Sequence, residues 1–331
     1  MKTPLTVLPI RKIFTFAGIL SSMLSAIPDI NAMVASIYEE KFLGFSTSVT
    51  ETHNTDYSTA VDDISEIWNR TVWIANDKKD TGGTATYLGR SADGSHLILT
   101  ANHVGMNSMT ITATDGSNYN LTANQNWRIG TADLRIYSVS VDTKTSDFLD
   151  SLGSIDIYTG TPKTSTKLYA VGTGYSTAIG SNYTTGTREK QWAEFKRNNI
   201  SVKNEDGTDS TADTVPVNTS GTTDCYAEVF SNRETSFQAT TYDSGSGVFV
   251  YQDGEWLLVG TLIAVSGDTE SATAVNYSGT ENSVCVTLFA DLSQYADQIN
   301  AIMNIPEPSA FGLLAGTFAL AIAASRRSRR Q

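Results

Sequence analysis

The stretch His96-Leu97-Ile98-Leu99-Thr100-Ala101-Asn102-His103-Val104 decides how this chain is read. It is a short apolar run that follows the turn residues Ala92-Asp93-Gly94, the pattern of a buried strand, and it delivers an imidazole at its end. Working outward, Val72-Trp73-Ile74-Ala75, Ala85-Thr86-Tyr87-Leu88 and Leu134-Arg135-Ile136-Tyr137-Ser138-Val139 have the same character, and Asp80-Thr81-Gly82-Gly83 and Ile129-Gly130 punctuate them. A second set follows from about Lys167, with Leu168-Tyr169-Ala170-Val171, Gly247-Val248-Phe249-Val250-Tyr251 and Trp256-Leu257-Leu258-Val259-Gly260. Many short strands with Gly-rich turns imply two successive all-β units, barrels or sandwiches, joined near Thr143 to Thr164. Helical spacing is confined mainly to Leu292, Tyr295, Ile299 and Ile302, which predicts a helix over Leu292 to Met303. The polar, Thr- and Asp-rich segment Ser201 to Thr223 is expected to be a surface loop.

Bulk composition bounds the function. With 331 residues, 40% hydrophobic and 18% charged, the chain is long enough and apolar enough to build a real core. Its formal charge of −12 repels nucleic-acid phosphates and anionic membrane surfaces, so neither is an expected partner. Three histidines and two cysteines, Cys225 and Cys285, lack the clustering of a metal site, so neither a metal nor an organic cofactor is expected. The two thiols are equally compatible with one disulfide and with isolated buried cysteines. The run Asn204-Glu205-Asp206-Gly207-Thr208-Asp209 lacks the ordered oxygen spacing and closing glutamate of a calcium loop.

The two ends read as addresses. Lys2, Arg11 and Lys12 precede an apolar run from Ile13 to Ile27, and small residues follow at Ala26, Ala32 and Ala35, as in a secretory signal peptide over residues 1–32. At the other end Pro306-Glu307-Pro308 is followed by the uncharged stretch Ser309 to Ala324 and then Arg326-Arg327-Ser328-Arg329-Arg330. That stretch is marginal for a full span, and the arginines would keep its end in the cytoplasm, so a transient inner-membrane anchor is expected. The order of these parts resembles the PEP-CTERM sorting signal. The resemblance implies an exosortase-type sorting enzyme as partner, a Gram-negative host, and export to the cell envelope, the outer surface or the medium. The expected division is therefore residues 1–32, a body over 33–303 and a sorting segment over 304–331.

Three short stretches of the body carry candidate chemistry. His53 lies in a polar stretch, and His96 opens a strand after a turn, where a solvated histidine is ordinary. His103 instead closes an apolar strand. Thr131-Ala132-Asp133-Leu134-Arg135-Ile136 places an acid at the mouth of another, and a buried carboxylate there needs a partner such as an imidazole N–H. Thr241-Tyr242-Asp243-Ser244-Gly245-Ser246-Gly247 permits a tight backbone from which a serine hydroxyl projects. Acyl transfer requires a serine activated by a base, an acid that orients the base, and N–H donors for the oxyanion. Neither serine has the Gly-x-Ser-x-Gly frame of the strand-to-helix nucleophile elbow.

In this order, the Leu-Thr-Ala-Asn-His, Ala-Asp-Leu-Arg-Ile and Asp-Ser-Gly-Ser-Gly stretches resemble the signatures of the chymotrypsin-like serine proteases. Gly82 to Leu88, Trp256 to Gly260 and Asp291 to Tyr295 fall where that family has further conserved elements, so the resemblance runs from about Asn69 to Ile302. It implies an all-β fold of two six-stranded antiparallel β-barrels, the first over about 65–150 and the second over about 165–290, with a C-terminal helix over 292–303. It also implies an exported serine endopeptidase acting on protein or peptide substrates, with His103 as general base, Asp133 orienting it and Ser244 as nucleophile. Ser246 is the rival serine. The backbone N–H groups of Tyr242 and Ser244 would form the oxyanion hole.

The chain departs from that family at Tyr242, where a glycine is usual and a Cβ could turn the donor away. A catalytically weak or inactive protease-like binding module is therefore the alternative function. Asp243 is the position that would receive a new N-terminal ammonium, supplied here by cleavage after Ala32, or would simply cap a turn. Gln238 is implied at the base of the substrate pocket, with Ile263, Ala264 and Val265 along its wall. With no charge placed there, no preference for Lys or Arg substrates is expected.

Overall fold

The computed structural model describes residues 57–304 except 61–62, 76–81, 106–107, 175–187, 199, 204–208, 230–238, 240–241 and 267–285. The expected end segments, His53, Gln238, Cys285 and most of the Asn204–Asp209 run therefore lie outside the described residues. The first unit holds β1 (Thr71–Ala75), β2 (Gly82–Arg90), β3 (His96–Ala101), β4 (Ser108–Thr112), β5 (Asn118–Arg128) and β6 (Leu134–Ser140). They close an antiparallel barrel in the order β1-β2-β3-β6-β5-β4, with β4 returning to pair with β1. The second unit is an eight-stranded sheet. It contains β8 (Leu168–Gly172), β9 (Gln191–Phe195), β12 (Val215–Asn218), β13 (Thr222–Val229), β14 (Gly247–Gln252), β15 (Glu255–Ser266) and β16 (Val286–Asp291), in the order β12-β13-β16-β15-β14-β8-β9. The short β7 (Asp156–Ile157) joins it in parallel to β15, and β10 (Ile200–Lys203) and β11 (Asp209–Ala212) form a separate hairpin. The fold is thus all-β, as expected.

The apolar runs became the strands with both faces covered. Every residue of β3 is buried, because one face lines the barrel and the other meets the second unit at β15. Alternation marks β4, where Met109 and Ile111 point inward and Ser108 and Thr112 are exposed, and the start of β5, where Tyr119 and Leu121 do the same. These strands are too polar to stand out as apolar runs. Ser201 to Thr223 corrects the sequence reading: it is not one surface loop but carries β11, β12 and the start of β13, with Val215 and Val217 in the core. Two valines separated by one residue suffice for a short strand half-buried on one face.

The joining segment opens with helix α2 (Thr143–Leu152), which the sequence reading does not single out; the earlier α1 spans Ser65–Asn69. Asp142 caps α2 by accepting from the Thr145 N–H, and the helix stops at Gly153. Its last carbonyls meet Arg70, a cation only 1% exposed, whose guanidinium donates to Gly153 O at 2.9 Å, to Leu152 O, and to Glu66 Oε1 at 2.8 Å. After the helix, Ile155 N donates to Leu88 O and Tyr158 N to Leu258 O, so the connection is tied to both units.

The expected C-terminal helix is present. It begins as a 3-10 turn over Leu292–Tyr295, capped by Asp291, and continues as α3 (Ala296–Met303). Ile299 enters the core, and Met303 O accepts from Ala92 N, so α3 docks back on the first barrel. Among the described residues no helix is long and apolar enough to cross a membrane. Among the described residues Cys225 is a free, buried thiol, and burial pushes its pKa well up.

Candidate active site

The antiparallel register of β3 and β6 brings the candidate acid to the candidate base. Ala101 pairs with Leu134, and the ladder continues one step further as Asn102 N donates to Asp133 O at 3.1 Å. The next residue, His103, donates its backbone N–H to Asp133 Oδ1 at 2.9 Å, and its ring Nδ1 lies 2.6 Å from Oδ2. A carboxylate accepts only, so Nδ1 carries the hydrogen and Nε2 is left as a proton acceptor. The Asp133 side chain is fully buried, whereas the His103 side chain is 33% exposed, so the ring presents its free edge to solvent.

The second unit completes the carboxylate's shell. Thr219 Oγ1, between β12 and β13, donates to Asp133 Oδ2 at 2.5 Å, and Asp133 N donates to Thr223 Oγ1 in β13 at 2.8 Å. One step away, Arg135 Nε donates to Asn102 Oδ1 and Asn102 Nδ2 to Ser220 Oγ, which fastens the residue preceding His103. A buried carboxylate that accepts from three donors is held in one orientation.

Ser244 is placed by a tight turn pressed on β2. Ser244 O accepts from Thr84 N at 2.8 Å, Gly245 N donates to Leu262 O, and Ser246 N donates to Asp243 O. Gly245 has φ 91°, and a Cβ there would lie 1.9 Å from Thr84 O, so only glycine allows this approach. A Cβ on Gly83 would likewise strike both Val104, the residue after His103, and Ser244 O. Gly83 is therefore the point at which the histidine segment and the serine turn meet. Ser244 is partly exposed, while Ser246 is fully buried and its hydroxyl has no hydrogen-bond partner among the described residues. Among the described residues no group accepts from the Ser244 N–H, and no hydrogen bond links its hydroxyl to the His103 ring.

Tyr242 stands with φ 78°, in the left-handed region that favours glycine. Its carbonyl accepts from Thr84 Oγ1 at 2.9 Å, and its ring lies under the guanidinium of Arg188, 4.3 Å from the ring centroid. Asp243 is buried, and its Oδ1 accepts the Gly174 N–H at 2.7 Å. The expected N-terminal partner of Asp243 is outside the described residues. Ile263 is buried in the core shared by the two units and Ala264 packs at its edge, while nothing is described of the Val265 side chain.

His96 corrects the sequence reading. It is 3% exposed, with Nδ1 2.9 Å from Tyr87 Oη and Nε2 3.1 Å from Ser146 Oγ, and is a structural histidine of the core rather than a solvated one. Arg188, Thr219 and Thr223 were not predicted from sequence. Threonines are abundant in this chain, and no spacing rule marks one that reaches an acid 86 or 90 positions away.

The chain matches no protein-family model and no curated protein. Among solved structures it is similar to neuropsin, a serine protease expressed in the limbic system of mouse brain. The identity is 13%, the match covers 73% of this chain and 97% of that one, and the TM-score is 0.44.

Proposed function

We propose that the chain is an exported serine endopeptidase that hydrolyses peptide bonds through an acyl-enzyme. The observation that carries this reading is the His103–Asp133 pair, a wholly buried carboxylate 2.6 Å from the Nδ1 of an imidazole one-third exposed, together with a partly exposed serine on a glycine-bounded turn that meets the histidine segment at Gly83. Ser244 Oγ attacks the scissile carbonyl while His103 Nε2 takes its proton, and Asp133 stabilises the imidazolium that forms. The Ser244 and Tyr242 N–H groups receive the oxyanion, and His103 then returns the proton to the leaving amine. Water, activated by the same histidine, releases the acyl group. The missing Ser244–His103 hydrogen bond is compatible with this chemistry, since such bonds often tighten only when substrate is bound.

Export, with sorting by an exosortase-type enzyme after transient anchoring, is part of the proposal and rests on the end segments of the sequence. The substrate pocket is assigned to Gln238, Ile263, Ala264 and Val265. Uncharged substrate side chains are favoured there, and rapid cleavage of arginyl amides would show that assignment to be wrong.

The purified chain and its Ser244→Ala variant, treated with a fluorophosphonate probe and unfolded casein, test the function. Labelling and cleavage by the parent alone support the endopeptidase. A folded parent that shows neither supports the second reading, a non-catalytic binding module, which the absent Ser244–His103 bond and the non-glycine Tyr242 favour.

A further inference from the structure

We propose that Arg188 is a positioning residue for the oxyanion hole, its guanidinium clamping Tyr242 in the left-handed conformation that glycine would adopt unaided. This rests on the serine-protease reading of Ser244. Tyr242 needs such a clamp because a residue with a Cβ is disfavoured at φ 78°, and relaxation to negative φ would rotate its N–H away from the oxyanion.

Arg188 grips Tyr242 twice. Its guanidinium lies over two rings, 4.3 Å from the centroid of Tyr242 and 4.8 Å from that of Trp73 in β1. It also starts a chain of donors that ends on the same tyrosine. Arg188 Nη2 donates to Thr173 Oγ1 at 3.1 Å, Thr173 Oγ1 lies 2.7 Å from Thr84 Oγ1, and Thr84 Oγ1 donates to Tyr242 O at 2.9 Å. Because Thr84 spends its single hydrogen on Tyr242, Thr173 donates within this chain, at 2.7 Å, in preference to Gly83 O at 3.3 Å. Three more guanidinium hydrogens go to Thr173 O, Ile74 O and Gly83 O, which fix Arg188 to both units at once. Ring and carbonyl of Tyr242 are thus held from opposite ends by one buried cation.

The test compares the full chain with its Tyr242→Gly, Tyr242→Ala, Arg188→Met and Arg188→Met/Tyr242→Gly variants, reading the rate of fluorophosphonate labelling and the urea midpoint of each. Tyr242→Gly sets the reference rate of an oxyanion hole that needs no clamp. Tyr242→Ala keeps the Cβ and loses the ring, and Arg188→Met loses the clamp, so both are expected to label about 100-fold more slowly, the effect of losing one oxyanion donor. The double variant is expected to regain the rate of Tyr242→Gly, because glycine needs no clamp. A purely structural arginine would not be rescued this way, and a double variant as slow as Arg188→Met overturns the proposal. Tyr242→Ala labelling as fast as the parent also overturns it, and needs no Arg188 variant to fold. If every variant folds and none labels, the protease reading fails, and the urea midpoints decide the clamp. Tyr242→Gly is then expected to raise the midpoint more in the Arg188→Met background than in the parent, and equal shifts overturn the clamp.

Discussion

Thr219 donates its hydroxyl to Asp133 Oδ2 at 2.5 Å, on the same oxygen that faces the His103 ring. The acid belongs to the first barrel and the hydroxyl to the second unit, so the position of the His103 imidazole depends on how the two units dock. Thr219→Val removes that donor while keeping the shape. Labelling of Ser244 should slow by about tenfold, the worth of one hydrogen bond to a charged group. Asp133→Asn should slow it by on the order of 10⁴-fold, because an amide favours the wrong imidazole tautomer. Fluorophosphonate labelling rates measure both, and a Thr219→Val rate equal to the parent's would remove Thr219 from the site.

Ser246 is buried and its hydroxyl has no partner among the described residues. Removing an unsatisfied buried hydroxyl should cost nothing and stabilise by up to about 1 kcal/mol. Ser246→Ala is therefore expected to raise or leave unchanged the urea midpoint, and to keep the labelling that Ser244→Ala abolishes. Loss of labelling in Ser246→Ala would mean that the wrong serine has been assigned.

Arg70 joins α1, through Glu66, to the end of α2, through Leu152 O and Gly153 O. Arg70→Met fills the space but leaves those carbonyls unpaired, and the loss should be about 2 kcal/mol. Urea unfolding of the variant checks it, and an unchanged midpoint would show that solvent replaces the guanidinium.

His96 is held below its ordinary pKa of 6.5, first by burial and then by the positive charge of Arg90. Below pH 6.5 the unfolded chain therefore binds a proton that the folded chain does not, so this histidine makes stability fall as the pH drops. The contribution is fully present above pH 6.5 and is lost progressively as the pH falls toward the lowered value. Unfolding measured from pH 7.5 down to 5.5 should show a steeper loss in the parent than in His96→Gln. Parallel curves would mean that His96 does not drive the slope.

By itself the sequence determined the strands whose apolar runs are covered on both faces: β3, β6, β8, β14 and the start of β15 were readable because burial on two sides demands continuous hydrophobic residues. It also determined the helix after Asp291; an imidazole and an acid at the ends of apolar strands marked His103 and Asp133, whereas Ser244 was marked only by the resemblance of its stretch to the chymotrypsin-like signatures. Weakly apolar strands such as β4, β5 and β12 were hidden, because alternation over four or five residues is easily lost among turn residues. Tertiary structure alone decided that His96 is buried, that Thr219 and Thr223 serve Asp133, and that Arg188 lies over the Tyr242 ring. The physical reason is that local patterns record which faces are buried, whereas hydrogen bonds and ring contacts between distant segments depend on the register and docking of two units, which no local spacing encodes.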